Sequence, residues 1–208
     1  MKINRKHFFD NYRSKYGKLS PAKVKALDFL ISKLETCRFK LETQMAYILA
    51  TIFHETNGTF EPVIEGYWLG NNRKNKLYNY YLKNNPKALK SIFPNGVNGL
   101  TYEGRGFVQL THDYNYEPFG LKDNPDSAMD PETAFMVIEK GLANGTFGHK
   151  LQSHVNEVKT DYVNARRCVN GTDKAKLIAG YAEQFAKWLV LVDESLAMQG
   201  YNQEEYIS

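Results

Sequence analysis

A chain of 208 residues, 42% hydrophobic and 24% charged, has apolar material for one sizeable core, or for two small lobes around a cleft. That composition excludes a disordered or fibrous chain, and no stretch has the uninterrupted apolar length of a membrane span. The net charge of +4 is uneven: residues 1–100 hold 17 Lys and Arg against 7 Asp and Glu, and residues 101–208 hold 10 against 16. A half at +10 suits an anionic polymer such as cell wall or nucleic acid, or a lipid headgroup surface, although solvated lysines on helix faces give similar counts. The first six residues are basic without an apolar signal core behind them, so no signal peptide is read and the chain is expected in the cytoplasm. Cys37 and Cys168 have neither metal-ligand nor redox spacing and are expected as reduced thiols.

In chain order, residues 4–16, with Phe8, Phe9 and Tyr12, are expected to form a first short helix. Ser20-Pro21 then supplies an N-cap and a proline at the first helical position, followed by a core-facing stripe of Val24, Leu27, Leu30, Ile31 and Leu34. Residues 45–56 read as a helix apolar on nearly every side, the kind buried in the middle of a domain. Asn57-Gly58 tolerates the left-handed backbone that stops it. His54 and Glu55 thus fall on the last turn, where a core ends and a cleft can open. A carboxylate there faces the negative end of the helix dipole and is partly desolvated, and both effects favour the protonated form that a general acid needs. A surface glutamate beyond a core helix would occupy the same position.

Pro62 and Gly66 break the next stretch into an irregular loop, whose Glu61 and Glu65 come within reach of Glu55 if the loop folds back. Residues 69–93 are polar, basic and rich in tyrosine. They suit sugar rings, which present apolar faces edged by hydroxyls, or stacking on single-stranded bases; core aromatics in a mobile lobe would have the same composition. Asn95-Gly96-Val97-Asn98-Gly99 is turn material leading to residues 101–111, where two glycines flank Arg105 and the following residues alternate. In an extended conformation Phe107, Gln109 and Thr111 share one face of a small β element. Asp130-Pro131-Glu132 caps a helix through about residue 142, and residues 161–170 form a short helix ending at Asn170-Gly171. Asp173 is expected to cap a last long helix with a stripe of Ile178, Ala182, Phe185, Leu189, Val192 and Leu196. The polar tail, residues 199–208, is expected to fray.

Several chemistries fail on spacing. Gly58 stands where a metalloprotease helix needs its second histidine, and Gly104-Arg105-Gly106 lacks the third glycine and the strand-to-helix setting of a phosphate loop. No serine or cysteine sits in a nucleophile elbow. What remains is a carboxylate pair, Glu55 with a glutamate of the following loop, as glycoside hydrolysis uses. No metal or organic cofactor is implied.

The residues 46–56 ending in His54-Glu55-Thr56, then 102–111 around Gly104-Arg105-Gly106-Phe107, then Tyr114-Asn115-Tyr116 resemble the pattern of glycoside hydrolase family 19, in its order. The closer similarity is to the phage and prophage endolysins of that family, lysozyme-like peptidoglycan hydrolases related to chitinases. Residues 161–175 and 3–10 resemble the C-terminal segment and the start of those proteins. The resemblance implies a mainly α, lysozyme-like fold with two lobes and a small β-hairpin beside the active-site cleft, residues 1–208 forming a single catalytic domain. It implies Glu55 as the general acid, Glu65 as the second carboxylate with Glu61 its rival, and Thr111 as a holder of the attacking water. Gln109, Tyr114, Asn115 and Asn170 match sugar-binding positions, and Tyr102 and His54 are counted with them.

The implied reaction is inverting hydrolysis of β-1,4 bonds in peptidoglycan, with chitin the nearest alternative substrate and a non-catalytic glycan-binding module the alternative role. The implied partners are peptidoglycan glycan strands, without nucleic acid and without stable membrane insertion. A monomer would leave the cytoplasm of the infected or producing bacterium through a holin-type pore and act on the wall from the periplasm, lysing the host. Glu103 departs from the pattern, where relatives carry an aromatic or small residue, and adds a carboxylate near the site. Residues 69–93 match none of the pattern.

Overall fold

The computed structural model describes residues 1–207. In chain order the elements are β1 (Lys2–Ile3), α1 (Arg5–Tyr16), α2 (Pro21–Thr36), α3 (Glu42–Glu55), β2 (Val63–Ile64), α4 (Arg73–Asn84), α5 (Pro86–Ile92), β3 (Arg105–Gly106), α6 (Asp113–Tyr116), α7 (Pro131–Asn144), α8 (Tyr162–Ala165), α9 (Ala175–Trp188), β4 (Leu191–Val192) and α10 (Glu194–Ala197). The protein is therefore mainly helical, as the periodicity predicts, with two short antiparallel pairs, β1 with β4 and β2 with β3. The chain divides into two compact units, residues 1–60 with 139–208, and residues 61–138.

The first unit is built on α3. Residues 44–52 of this helix are all buried, so it has no solvent face along most of its length, and its main partner is α9. Ile48, Leu49 and Ile52 of α3 and Ile178, Ala182 and Phe185 of α9 are fully buried. Gln44, the polar exception, donates its side-chain amide to the Val155 carbonyl at 2.9 Å, which satisfies it inside the core. Ser20 caps α2 by accepting from the Lys23 amide, and Val24, Leu27, Leu30, Ile31 and Leu34 are buried as the stripe predicts. Arg5 ties α1 to α2 through Glu35 at 2.7 Å and Asp28 at 2.8 Å. At the end of α3 the backbone turns left-handed at Asn57 and Gly58, φ 51° and 72°.

Three expectations for this unit are corrected. Asp173 does not cap α9: the position before the helix is Lys174, in left-handed conformation and with no side-chain cap. The stripe stops early, because α9 ends at Trp188 and the chain becomes extended, pairing Leu191 and Val192 with Ile3 and Lys2. That pairing joins the two ends of the chain, and no local pattern announces it. The tail does not fray. Tyr206 is buried among Phe9 and Tyr201, its hydroxyl donates to Asp10 at 2.8 Å, and Ile207 bridges to Leu19.

The second unit packs Leu69, Tyr78 and Tyr81 against a core of Leu77, Ile92 and Phe93, so the basic segment folds as the helix pair α4–α5. Strand β2 pairs with β3 in the register Val63 with Gly106 and Ile64 with Arg105. Residues 107–109 are not extended, which corrects the alternating strand expected there. Arg105 and Leu110 exchange backbone hydrogen bonds at 3.1 and 2.9 Å, closing residues 106–109 into a tight turn with φ of 84° at Gly106 and 53° at Gln109. A Cβ on Gly106 would lie 2.9 Å from the Ala128 carbonyl oxygen, so glycine answers both the dihedral and the close approach.

Candidate functional site

In the first unit the helix end carries an ion pair. Glu55 closes α3, and its Oε1 accepts from Arg166 Nη1 at 2.7 Å. The Arg166 side chain is 1% exposed and that of Glu55 is 16% exposed, so the pair is largely withdrawn from water while the carboxylate keeps an opening. Arg166 stands just beyond α8, and its Nε donates to the Asp173 carbonyl at 2.9 Å, which fixes the plane of the guanidinium. The position of Glu55 at a helix end does not announce this partner, which lies 111 residues away in the chain. His54 is half-buried beside them, and burial pulls its imidazole below the ordinary histidine value. Asn170 is exposed on the turn that follows Arg166, and its backbone amide is bonded to the Arg166 carbonyl.

In the second unit the polar side chains converge on one glycine. The Gly104 amide donates to Glu65 Oε2 at 3.0 Å, the Glu65 amide donates to the Gly104 carbonyl at 2.7 Å, and Tyr81 donates its hydroxyl to Glu65 Oε1 at 2.7 Å. A Cβ on Gly104 would stand 2.8 Å from Gln109 Oε1 and 3.3 Å from both Gln109 Cβ and Thr111 Oγ1, so Gln109 and Thr111 pack closely over this glycine and would have to shift to admit a side chain. Each carboxylate oxygen of Glu65 takes one hydrogen bond within the unit and has capacity for another. Burial, and then the bond to Glu65, push the Tyr81 phenol upward, so it remains a donor. Thr111 donates its hydroxyl proton to the Gln109 carbonyl at 2.7 Å, which leaves the oxygen lone pairs to accept, as from a water molecule.

Glu103 supports this arrangement from below. It is fully buried and paired with Arg73 at 2.7 Å and Arg105 at 3.4 Å. Burial opposes its charge, but Arg105, Thr101 and Arg73 outweigh that and hold the carboxyl below its ordinary value. Arg73 also donates to the Glu65 carbonyl at 2.8 Å, so one guanidinium joins the two carboxylate-bearing segments. The carboxylate expected near the site is thus neutralised inside the unit and anchors β3.

The sugar-binding expectations divide. Gln109 donates its amide to the Val63 carbonyl at 2.9 Å and stitches the turn to β2, and Asn115 donates to the Thr111 carbonyl at 2.8 Å. Tyr102 is 5% exposed, packed edge-on against Tyr116 with its hydroxyl on the Lys122 carbonyl. Each of the three is tied into the unit by one or more of these bonds, and the side-chain carbonyls of Gln109 and Asn115 can still accept. Tyr114 is 57% exposed and stacked on His112 at 5.1 Å. Glu61 is exposed on a bend, and both oxygens of Glu65 are anchored. Arg166, Tyr81, Arg73 and Gly104 complete the polar framework and were not among the expected site residues. Tyr81 had a local signal, lying four residues beyond Leu77 on the inward face of α4, and so had Gly104, one of the two glycines flanking Arg105.

Among the described residues no group of three or more His, Cys, Asp or Glu is placed to hold a metal ion, and no helix is long and apolar enough to cross a membrane. Compared with protein-family models, curated proteins and solved structures, the chain finds no match.

Proposed function

We propose that the protein is a glycoside hydrolase that cuts the glycan strands of bacterial peptidoglycan, at the β-1,4 bond from N-acetylmuramic acid to N-acetylglucosamine. In this reading Glu55 is the acid that protonates the glycosidic oxygen. Glu65 is the base, and Thr111 holds the attacking water for an inverting displacement. The observation that carries it is the set around Gly104, a carboxylate with both oxygens anchored and a threonine oxygen turned acceptor beside it. Glu55, at a helix end and paired with a buried arginine, supplies the second carboxylate the chemistry needs. The fold that goes with the reading is a lysozyme-like pair of lobes with a cleft. The mechanism requires the two carboxyls to stand about 6.5–9.5 Å apart across the scissile bond, leaving room for water. Host lysis after release through a holin-type pore is the role proposed with it.

The test compares wild type with Glu55→Gln on purified peptidoglycan, following turbidity and new reducing ends together. Glutamine keeps the shape but has no proton to give, and general acid catalysis contributes roughly 10²–10⁴-fold. Wild type should clear the wall and release reducing ends, and the folded variant should do neither. Binding without reducing ends from wild type would replace the hydrolase with a glycan-binding module, and cleavage of chitin alone would make it a chitinase.

A further inference from the structure

Trp68 is 70% exposed and Tyr67 is 55% exposed, yet neither belongs to a loose end. Both ride on a single helical turn, Tyr67–Leu69, bracketed by Gly66 and Gly70 with φ of 70° and 61°. The third residue of that turn is its anchor. Leu69 packs against the core of Leu77, Ile92 and Phe93, and its carbonyl accepts from Lys76 at 2.8 Å. A Cβ on Gly66 would lie 2.9 Å from Leu69 Cδ1, so the turn closes tightly over its own anchor. With Leu69 held inward, the two aromatic rings face solvent, edge to face at 5.2 Å. The turn begins two residues after Glu65, whose backbone and carboxylate are fixed by Arg73, Tyr81 and Gly104.

An uncovered indole on an anchored turn is a costly surface, and exposed apolar patches beside a polar site mark binding surfaces. The ligand that fits must be flat and apolar on one face and polar at its rim. A pyranose ring is built that way, with axial C–H groups on its face and hydroxyls around its edge. Those C–H groups carry partial positive charge and meet the negative π face of the ring. We propose that Trp68, with Tyr67 edge-on beside it, forms a stacking platform for a sugar ring of the glycan strand, adjacent to the bond served by Glu65. This rests on the hydrolase reading.

The chain has two tryptophans, and Trp188 is buried at 7% exposure, so a change in emission on ligand addition reports chiefly on Trp68. Titrating the full chain with soluble, uncross-linked glycan strands should shift its emission to the blue, and Trp68→Phe should abolish the shift. Trp68→Ala should raise KM about tenfold with kcat unchanged, the size of one lost stacking contact and the signature of binding shared by ground and transition states. Trp68→Phe should keep most of the affinity, because a ring remains. Strands cleaved by wild type with no emission shift, and with the same KM for Trp68→Ala, would overturn the platform and leave the hydrolase standing. Failure of wild type to bind or cleave the strands would remove both. An equal shift with single-stranded oligothymidine would overturn the sugar assignment, since α4 and α5 carry six basic and no acidic residues.

Discussion

At the scale of single residues, Gly104 decides whether the second unit can hold its polar set. Its amide binds Glu65 while the side chains of Gln109 and Thr111 lie over its α-carbon, and a methyl group fits only if both side chains shift. Gly104→Ala is expected to push the Gln109 amide off the Val63 carbonyl and to misplace Thr111. Overpacking of this kind costs about 1–3 kcal/mol, and on the proposed hydrolase reading the shifted Thr111 lowers turnover toward the roughly 10²-fold that a misplacement of about 1 Å costs. Urea melts and reducing-end assays on the same preparation check the two effects, and an unchanged melt with unchanged turnover would show that the packing does not matter. The two glycines around Arg105 were legible as a place of close approach. Which side chains approach was not, because the turn at residues 106–109 brings Gln109 back over Gly104 through a left-handed residue that the alternating pattern conceals.

At the scale of elements, helices with strong local signals formed where their patterns put them, and elements paired across the chain did not follow such patterns. Ser20-Pro21 began α2, and the Asn57-Gly58 stop followed the last turn of α3. By contrast β4 exists because Lys2 and Ile3 offer it a partner, and the final turn is ordered because Phe9 and Tyr201 offer Tyr206 a place. Tyr206→Ala removes a ring that is 1% exposed and a hydrogen bond to Asp10. A loss of roughly 3 kcal/mol follows from the cost of emptying a buried aromatic site. It should be read as a lower urea midpoint at constant slope. A midpoint equal to that of wild type would return the tail to the frayed state its composition suggests.

For the whole molecule, histidines govern stability near neutral pH. Burial, ahead of the neighbouring charges, holds His54, His112 and His154 below the ordinary value of 6.5. The unfolded chain therefore binds more protons than the folded one as pH falls through that value, and folded stability must drop. The loss should begin near pH 6.5 and level off once the folded-state histidines are also protonated. A second loss should follow below about pH 4.5, where Glu35 and Glu103, both held below their ordinary value despite burial, lose their arginine partners. Thermal midpoints from pH 8 to pH 3 should show both steps. A midpoint flat between pH 7.5 and 5.5 would mean that the histidines are not buried as described.

What the sequence determined by itself is the helical class, the central helix with its stop, and the place of Glu55 on its last turn, with Glu61 and Glu65 in the loop beyond, because periodicity, caps and glycine turns act over a few residues. What only the tertiary structure decided is which groups meet those carboxylates. Arg166 reaches Glu55 across 111 residues, and Tyr81 and Gly104 reach Glu65 across 16 and 39. Such contacts depend on how whole helices and turns pack. A short window of sequence contains one partner of each pair and carries no trace of the other.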